Sequence, residues 1–199
     1  MKLLPSFRRS YRAAAVAALF FAGPALAGNM PDPTHLPRCH SFIEADATCL
    51  LPVKSGDFES LAGWETLGRI AIGTEADNSY ALLGYGSALQ QSVYAMFYKW
   101  DGAAYALRFK VRSTSGDAQV HVALSMSDAN GQFKKPIGST TTTVSGGGWQ
   151  VVELVANGKP FPPPAHVLVE ITNVEGPATA IHVDDVYLVE APADAVEVL

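Results

Sequence analysis

The sequence predicts an all-β chain folded as an antiparallel β-sandwich. Three observations carry this. From Leu67 onward apolar residues recur at every second position, clusters of Gly, Pro, Asn and Asp interrupt the chain at short intervals, and no segment holds a helical period. A strand with one apolar face must lay it on another sheet, and a series of such strands joined by tight turns makes a sandwich.

The elements follow in order. "SGDFESLAGWETLG" (55–68) opens the domain with a Ser-Gly turn, two acids around Phe58, a second turn and Trp64. The two aromatics are expected in the core beneath that turn, since large rings dominate such cores. "NSYALLGYGSALQQSVYAMFYKWDG" (78–102) is rich in aromatics, and alternation sends some of them inward. Tyr98 and Trp100 share a face just before the Asp101-Gly102 turn. "AYALRFKVRS" places Tyr105, Leu107, Phe109 and Val111 inside and Arg108, Lys110 and Arg112 outside. "AQVHVALSMSD" repeats the alternation, with Val120, Val122, Leu124 and Met126 inside and Gln119, His121 and Ser125 outside. Asn130-Gly131 reads as a hairpin turn. "TTTTVSGGGWQVVELVA" gives two strands about a glycine turn. "PFPPPAHVLVEITNV" alternates after its prolines, and "AIHVDDVYLVE" closes the series, with Asp184 and Asp185 expected on opposite faces.

The N-terminus sets the compartment. "MKLLPSFRRSYR" carries four basic residues and no acid, and an apolar run closed by Ala25-Leu26-Ala27 follows, which reads as a secretory signal over 1–27. The run is too short to span a bilayer comfortably and Gly23-Pro24 breaks it, so no membrane span is expected after cleavage. "RRSYR" is half of a twin-arginine signal, and the general route is the expectation. The protein is then secreted or periplasmic. Residues 28–51 form an arm, 52–190 one sandwich domain, and 191–199 a tail without an evident partner. Cys39 and Cys49, with nine residues between them, fit neither a CxxC nor a zinc pattern, and in an oxidising compartment they are expected to form a disulfide.

Charge and motifs exclude several function classes. The chain holds 14 basic and 19 acidic residues; loss of the four basic residues of the signal leaves 10 against 19, a net charge of −9. Such a surface repels phosphate backbones, so nucleic acid is not expected as a partner. Neither HExxH nor GxSxG occurs. The five histidines (His35, His40, His121, His166, His182) form no metal pattern, and His182 with Asp184 at i, i+2 reads as a strand edge. No two carboxylates evidently face one cleft, as glycoside hydrolysis requires. The expectation is a protein that is not an enzyme.

Four segments in order carry a family resemblance. The opening "SGDFE" with "GW" stands where the pattern has N-G-x-F-E and G-W. Tyr105, Leu107, Phe109 and Arg112 match Y-x-L-x-F-x-x-R, "WQVVEL" matches a W-x-x-V/L strand, and "IHVDDV" matches the closing I-x-[IV]-D-D-V. Over residues 53–190 the chain resembles the CenC-like carbohydrate-binding modules, jelly rolls of the galactose-binding-like type. The resemblance implies that first and last strands are neighbours and that a structural calcium bridges them, with Glu59 and Asp184 as ligands and Asp57 as an addition. A hard cation wants several such oxygens. The competing reading is that Asp57 and Glu59 are solvated turn residues and Asp184 caps a backbone amide.

The resemblance also implies a poly- or oligosaccharide partner. Sugars are recognised by aromatic faces flanked by polar groups. Tyr85, Tyr98, Trp100 and Arg108 are the candidate ligand-binding residues, each also explicable by ordinary packing. Gln119 and His121 join Arg108 and Lys110 among the outward polar groups of the central strands. A second function class remains open, an envelope or extracellular interaction protein that uses the same sandwich for protein contact.

Overall fold

A computed structural model describes residues 35–39, 48–95, 102–128, 133–158, 165–175 and 179–193. Among the described residues eleven strands follow one another: β1 (Cys49–Leu50), β2 (Glu65–Leu67), β3 (Ile70–Glu75), β4 (Asn78–Leu83), β5 (Ala88–Tyr94), β6 (Ala103–Ser113), β7 (Ala118–Asp128), β8 (Lys135–Val144), β9 (Gln150–Gly158), β10 (Ala165–Glu175) and β11 (Ile181–Pro192). The first sheet runs β3-β4-β11-β6-β9 with β1 also on β11, and the second runs β2-β5-β10-β7-β8. Every pairing between these strands is antiparallel. The chain is the β-sandwich that its alternation predicts, and among the described residues there is no α-helix. The signal segment, the Asn130-Gly131 turn, Tyr98 and Trp100 lie outside the described residues.

One core fills the space between the sheets. Tyr105, Leu107, Phe109 and Val111 from β6 meet Val120, Val122, Leu124 and Met126 from β7, with Val167, Val169 and Ile171 from β10. Phe58 and Trp64 belong to it as expected: Phe58 is fully buried, the two rings lie 5.5 Å apart, and the Trp64 indole N–H donates to the Ser55 carbonyl at 3.1 Å. Complete burial of a side chain of Phe58's size contributes about 2–3 kcal/mol.

The edge of β11 shows how the opening segment is held. β4 pairs with its start, at Ile181–Val183, and β1 pairs with its far end, at Val189 and Glu190. Between them the chain leaves regular pairing. The Val186 amide donates to the Gly56 carbonyl at 2.9 Å and the Leu51 amide to the Leu188 carbonyl at 2.8 Å. Gly56 has no alternative, since a Cβ there would stand 2.3 Å from the Val186 oxygen. The inward-facing Gln91 of β5 clamps the same loop from the second sheet, accepting from the Lys54 amide at 2.7 Å and donating to the Lys54 carbonyl at 2.9 Å.

Three expectations need adjustment. Cys39 and Cys49 are disulfide-bonded, but Cys49–Leu51 are not a separate arm: β1 extends the first sheet and Leu51 is buried in the core. The tail begins later than expected, because Ala191 and Pro192 still pair with Ala104 and Ala103. Strict alternation also fails in β11. A bulge between Asp184 and Tyr187, with Asp185 at φ 50°, adds a residue, so both aspartates reach toward Lys110 rather than opposite faces.

Candidate ligand face

A sandwich offers two outer faces, and here they are built differently. The outer face of the first sheet is occupied by its own interactions. Tyr80 lies over Gly73 of β3, where a Cβ would meet its ring at 2.4 Å, and it stacks on His182 at 4.2 Å with 16° between the planes. The Arg112 guanidinium sits 4.6 Å from the Trp149 ring centre and 5.5 Å from that of Tyr80, donates from Nε to His182 Nδ1 at 3.0 Å, and pairs with Glu75. Lys110 pairs with Asp185 at 2.6 Å. Burial, helped by the Arg112 charge, holds the His182 imidazole below its ordinary range, which keeps Nδ1 free to accept.

Asp184 sits on the same face, and its surroundings decide how the acids of the opening and closing motifs are used. Its carboxylate is buried, accepts from Asn78 Nδ2 and from the Asp185 amide, each at 2.7 Å, and burial raises its affinity for a proton. Asp57 and Glu59 are exposed, and the Glu59 amide donates weakly to Asp57 at 3.4 Å. Among the described residues the one trio of His, Cys, Asp or Glu ligand atoms within 4.8 Å of one another is Cys39, Cys49 and Glu190, and both sulfurs are committed to the disulfide. The carboxylates of Asp57, Glu59 and Asp184 form no such trio, and Asp184 caps an amide.

The outer face of the second sheet is polar, open and only lightly self-paired. Cross-strand register sets its rows: Gln90, Glu170, Ala123 and Ser139 form one, Ala88, Thr172, His121 and Thr141 another, and Tyr94, His166 and Ser127 a third. Gln90 Nε2 donates to Glu170 Oε2 at 2.7 Å, and the Thr172 hydroxyl to Oε1 at 3.4 Å. His121 and Thr141 meet at 3.0 Å, and Ser92 meets His166 at 3.2 Å. Tyr94 is 45% exposed and packs edge-on against His166, with centroids 5.5 Å apart. Burial depresses the His166 pKa, partly offset by Asp128. Among the described residues the face presents planar amide and carboxylate groups, hydroxyls and one open aromatic ring.

Of the expected binding residues, Tyr85 and Arg108 are described, and they lie apart. Arg108 is on the first sheet's face, between Tyr187 of β11 and Glu153 of β9. Tyr85, 61% exposed, is in the β4–β5 turn, at the end of the sheet where β6 has reached Ser113; five residues of strand, about 17 Å, separate that end from Arg108. Gln119 and His121 face away from Arg108 and Lys110 altogether, because β6 and β7 lie in different sheets. Gln90, Tyr94, His166 and Glu170 come together on the second sheet's outer face, a grouping the sequence analysis did not single out. Their signal was the alternation of "ALQQSVY", which puts positions 90, 92 and 94 on one face.

The backbone is similar to those of several solved structures. It is similar to a cyclase from Fischerella sp. TAU (TM-score 0.57, 15% identity, 74% of this chain and 99% of that one). It is also similar to a family 22 xylan-binding domain from Paenibacillus barcinonensis (TM-score 0.52, 14% identity, 75% and 99%). A family 11 carbohydrate-binding module from Clostridium thermocellum, in complex with a β-1,3-1,4-mixed-linked tetrasaccharide, gives a TM-score of 0.50 at 14% identity over 73% and 96%. The fold is that of the carbohydrate-binding modules. This jelly roll also serves the cyclase, so the fold is compatible with binding and with catalysis. No protein-family profile matches the sequence, and no curated protein does.

Proposed function

We propose that the protein is a non-catalytic, extracellular glycan-binding module, and that it binds a neutral poly- or oligosaccharide on the outer face of the second sheet. The observation that supports this reading is the polar array across β5, β10, β7 and β8, ending at the exposed ring of Tyr94. An aromatic face takes the C–H face of a sugar, while fixed amides, carboxylates and hydroxyls select its hydroxyl groups. Glu170 suits an anchor better than a catalytic acid, because both its oxygens already accept hydrogen bonds. The disulfide and the fold are consistent with an oxidising, extracellular setting.

The test is affinity electrophoresis of the protein on soluble xylan and mixed-linkage β-glucan at low and high salt. Retardation that survives high salt is expected, because stacking and neutral hydrogen bonds leave little charge to screen. If no glycan retards the protein, the envelope or extracellular interaction reading replaces this one.

A further inference from the structure

We propose a second, small-ligand site that lies on neither outer face. It is a cavity between the disulfide-held segment and the bulge of β11, and its ligand is a small zwitterion with an apolar body, such as an aliphatic α-amino acid. The cavity measures ≈ 300 Å³, at the lower end of small-molecule sites. Leu50, Val53 and Val186 supply apolar wall, and Arg38, Asp57 and Tyr187 supply polar groups.

The charges decide the class of ligand. Arg38 and Asp57 line the same cavity, yet among the described residues neither forms an ion pair with the other or with a third group. A neutral occupant would leave both charges to be desolvated against it, and a simple anion or cation would satisfy one and strand the other. A zwitterion satisfies both: its carboxylate takes the Arg38 guanidinium and its ammonium takes the Asp57 carboxylate, as charge-assisted hydrogen bonds. The aliphatic body then covers Leu50, Val53 and Val186.

The surroundings are held in place. The Cys39 amide donates to the Leu50 carbonyl at 2.8 Å and the Leu50 amide to the Pro37 carbonyl at 2.7 Å, so the disulfide-closed segment keeps Arg38 opposite Leu50. Gly56 lets the opening loop touch the bulge directly. Ser55 at φ 46° and Asp185 at φ 50° are left-handed non-glycine residues flanking the cavity, and a bulge of this kind re-aims the side chains beside it. Tyr187, whose hydroxyl donates to Asp185 Oδ1 at 3.5 Å, lines the cavity beside Val186.

Calorimetry with L-leucine at millimolar concentration tests the site, with N-acetyl-leucine and leucinamide as ligands that lack one charge. Leucine is expected to bind, and each blocked analogue to bind about tenfold more weakly or worse, as loss of a charge-assisted hydrogen bond implies. Arg38→Gln and Asp57→Asn should each abolish the preference for leucine over the analogue lacking the matching charge, with circular dichroism unchanged because both side chains are exposed. Tyr94→Ala, on the glycan face, should leave leucine binding intact, which keeps this outcome separate from that of the glycan test. Absence of leucine binding, or equal binding of leucine and its blocked analogues, overturns the proposal.

Discussion

The two outer faces of the sandwich use the same kinds of side chain to opposite ends. On the first sheet, Arg112, His182, Tyr80, Trp149 and Glu75 spend their charges and ring faces on one another. On the second sheet, His166 and Tyr94 meet only edge-on, and hydroxyls and amides are spaced along the strands with capacity to spare. Polarity alone does not mark a binding surface. A group already paired inside the protein gains little from a ligand, whereas one hydrated on an open face can exchange water for a ligand hydroxyl.

Replacing the centre of the self-paired face separates the two most strongly. Arg112→Ala removes the partner of Glu75 and His182 and the cation over Trp149, and its side chain is only 18% exposed. A loss of about 2 kcal/mol is expected, typical of breaking a partly buried network. That corresponds to a fall of about 4–8 °C in melting temperature for a chain of this size, readable by calorimetry. Glycan binding should be unchanged, and weakened binding in a folded Arg112→Ala protein would move the site to the first sheet.

Tyr94→Ala is the mirror experiment. Stability should change by no more than about 0.5 kcal/mol, as at exposed positions generally. Retardation on the retaining glycan should drop about tenfold or more, as for an aromatic hot spot. An unchanged affinity would break the assignment of the second face.

A smaller effect comes from the imidazoles. His182 and His166 both have folded pKa values held below the ordinary 6.5 by burial. As pH falls below about 6.5 the unfolded chain takes up protons that the folded chain refuses, so stability declines with acidification until the folded values are reached. Asp184 and Glu153, raised by burial, act with the opposite sign: their contribution is present at low pH and is lost as pH rises through their folded values. Denaturant titrations between neutral pH and pH 5 should show a shallow decline that His166→Gln with His182→Gln flattens. Persistence of the slope in that double variant would assign it to other groups.

The smallest expected effect is none. Chelation should leave the melting temperature of the wild type where it is, since the carboxylates of Asp57, Glu59 and Asp184 form no close trio. A chelator-induced fall, absent in Asp184→Asn, would show that the carboxylates regroup about an ion.

The in-and-out pattern of β6, β7 and β10 was legible because a strand half in the core must alternate, and the Cys39–Cys49 pairing and the burial of Phe58 and Trp64 were legible on chemistry alone. Which face a polar residue reaches was not. Both sheets turn their apolar sides to one shared interior, so alternation marks Arg108 and His121 alike as outward and is silent on the fact that they point in opposite directions. β1 is too short to show a period. The bulge at Asp184–Val186 cannot be read from alternation either, because it is set by contact with Gly56, 130 positions earlier. The polar face escaped notice because its rows exist only once β5, β10, β7 and β8 are in register.

The order of the first sheet has a consequence for how the chain comes to be folded. Its central strand, flanked by β4, β1 and β6, is β11, the last of the eleven to be synthesised. Until those residues arrive, β4 and β6 present unpaired edges to each other across an empty slot, and Leu51 and Gly56 have no β11 backbone to bond. Closure depends on pairings between residues far apart in the chain, such as Ile181 with Ser113 and Glu190 with Cys49, which makes folding slow relative to locally paired proteins. During that interval the open edges can accept a foreign strand. An intermediate waiting for β11 is thus a natural client for whatever shields nascent chains, and insertion of one strand commits the whole sandwich.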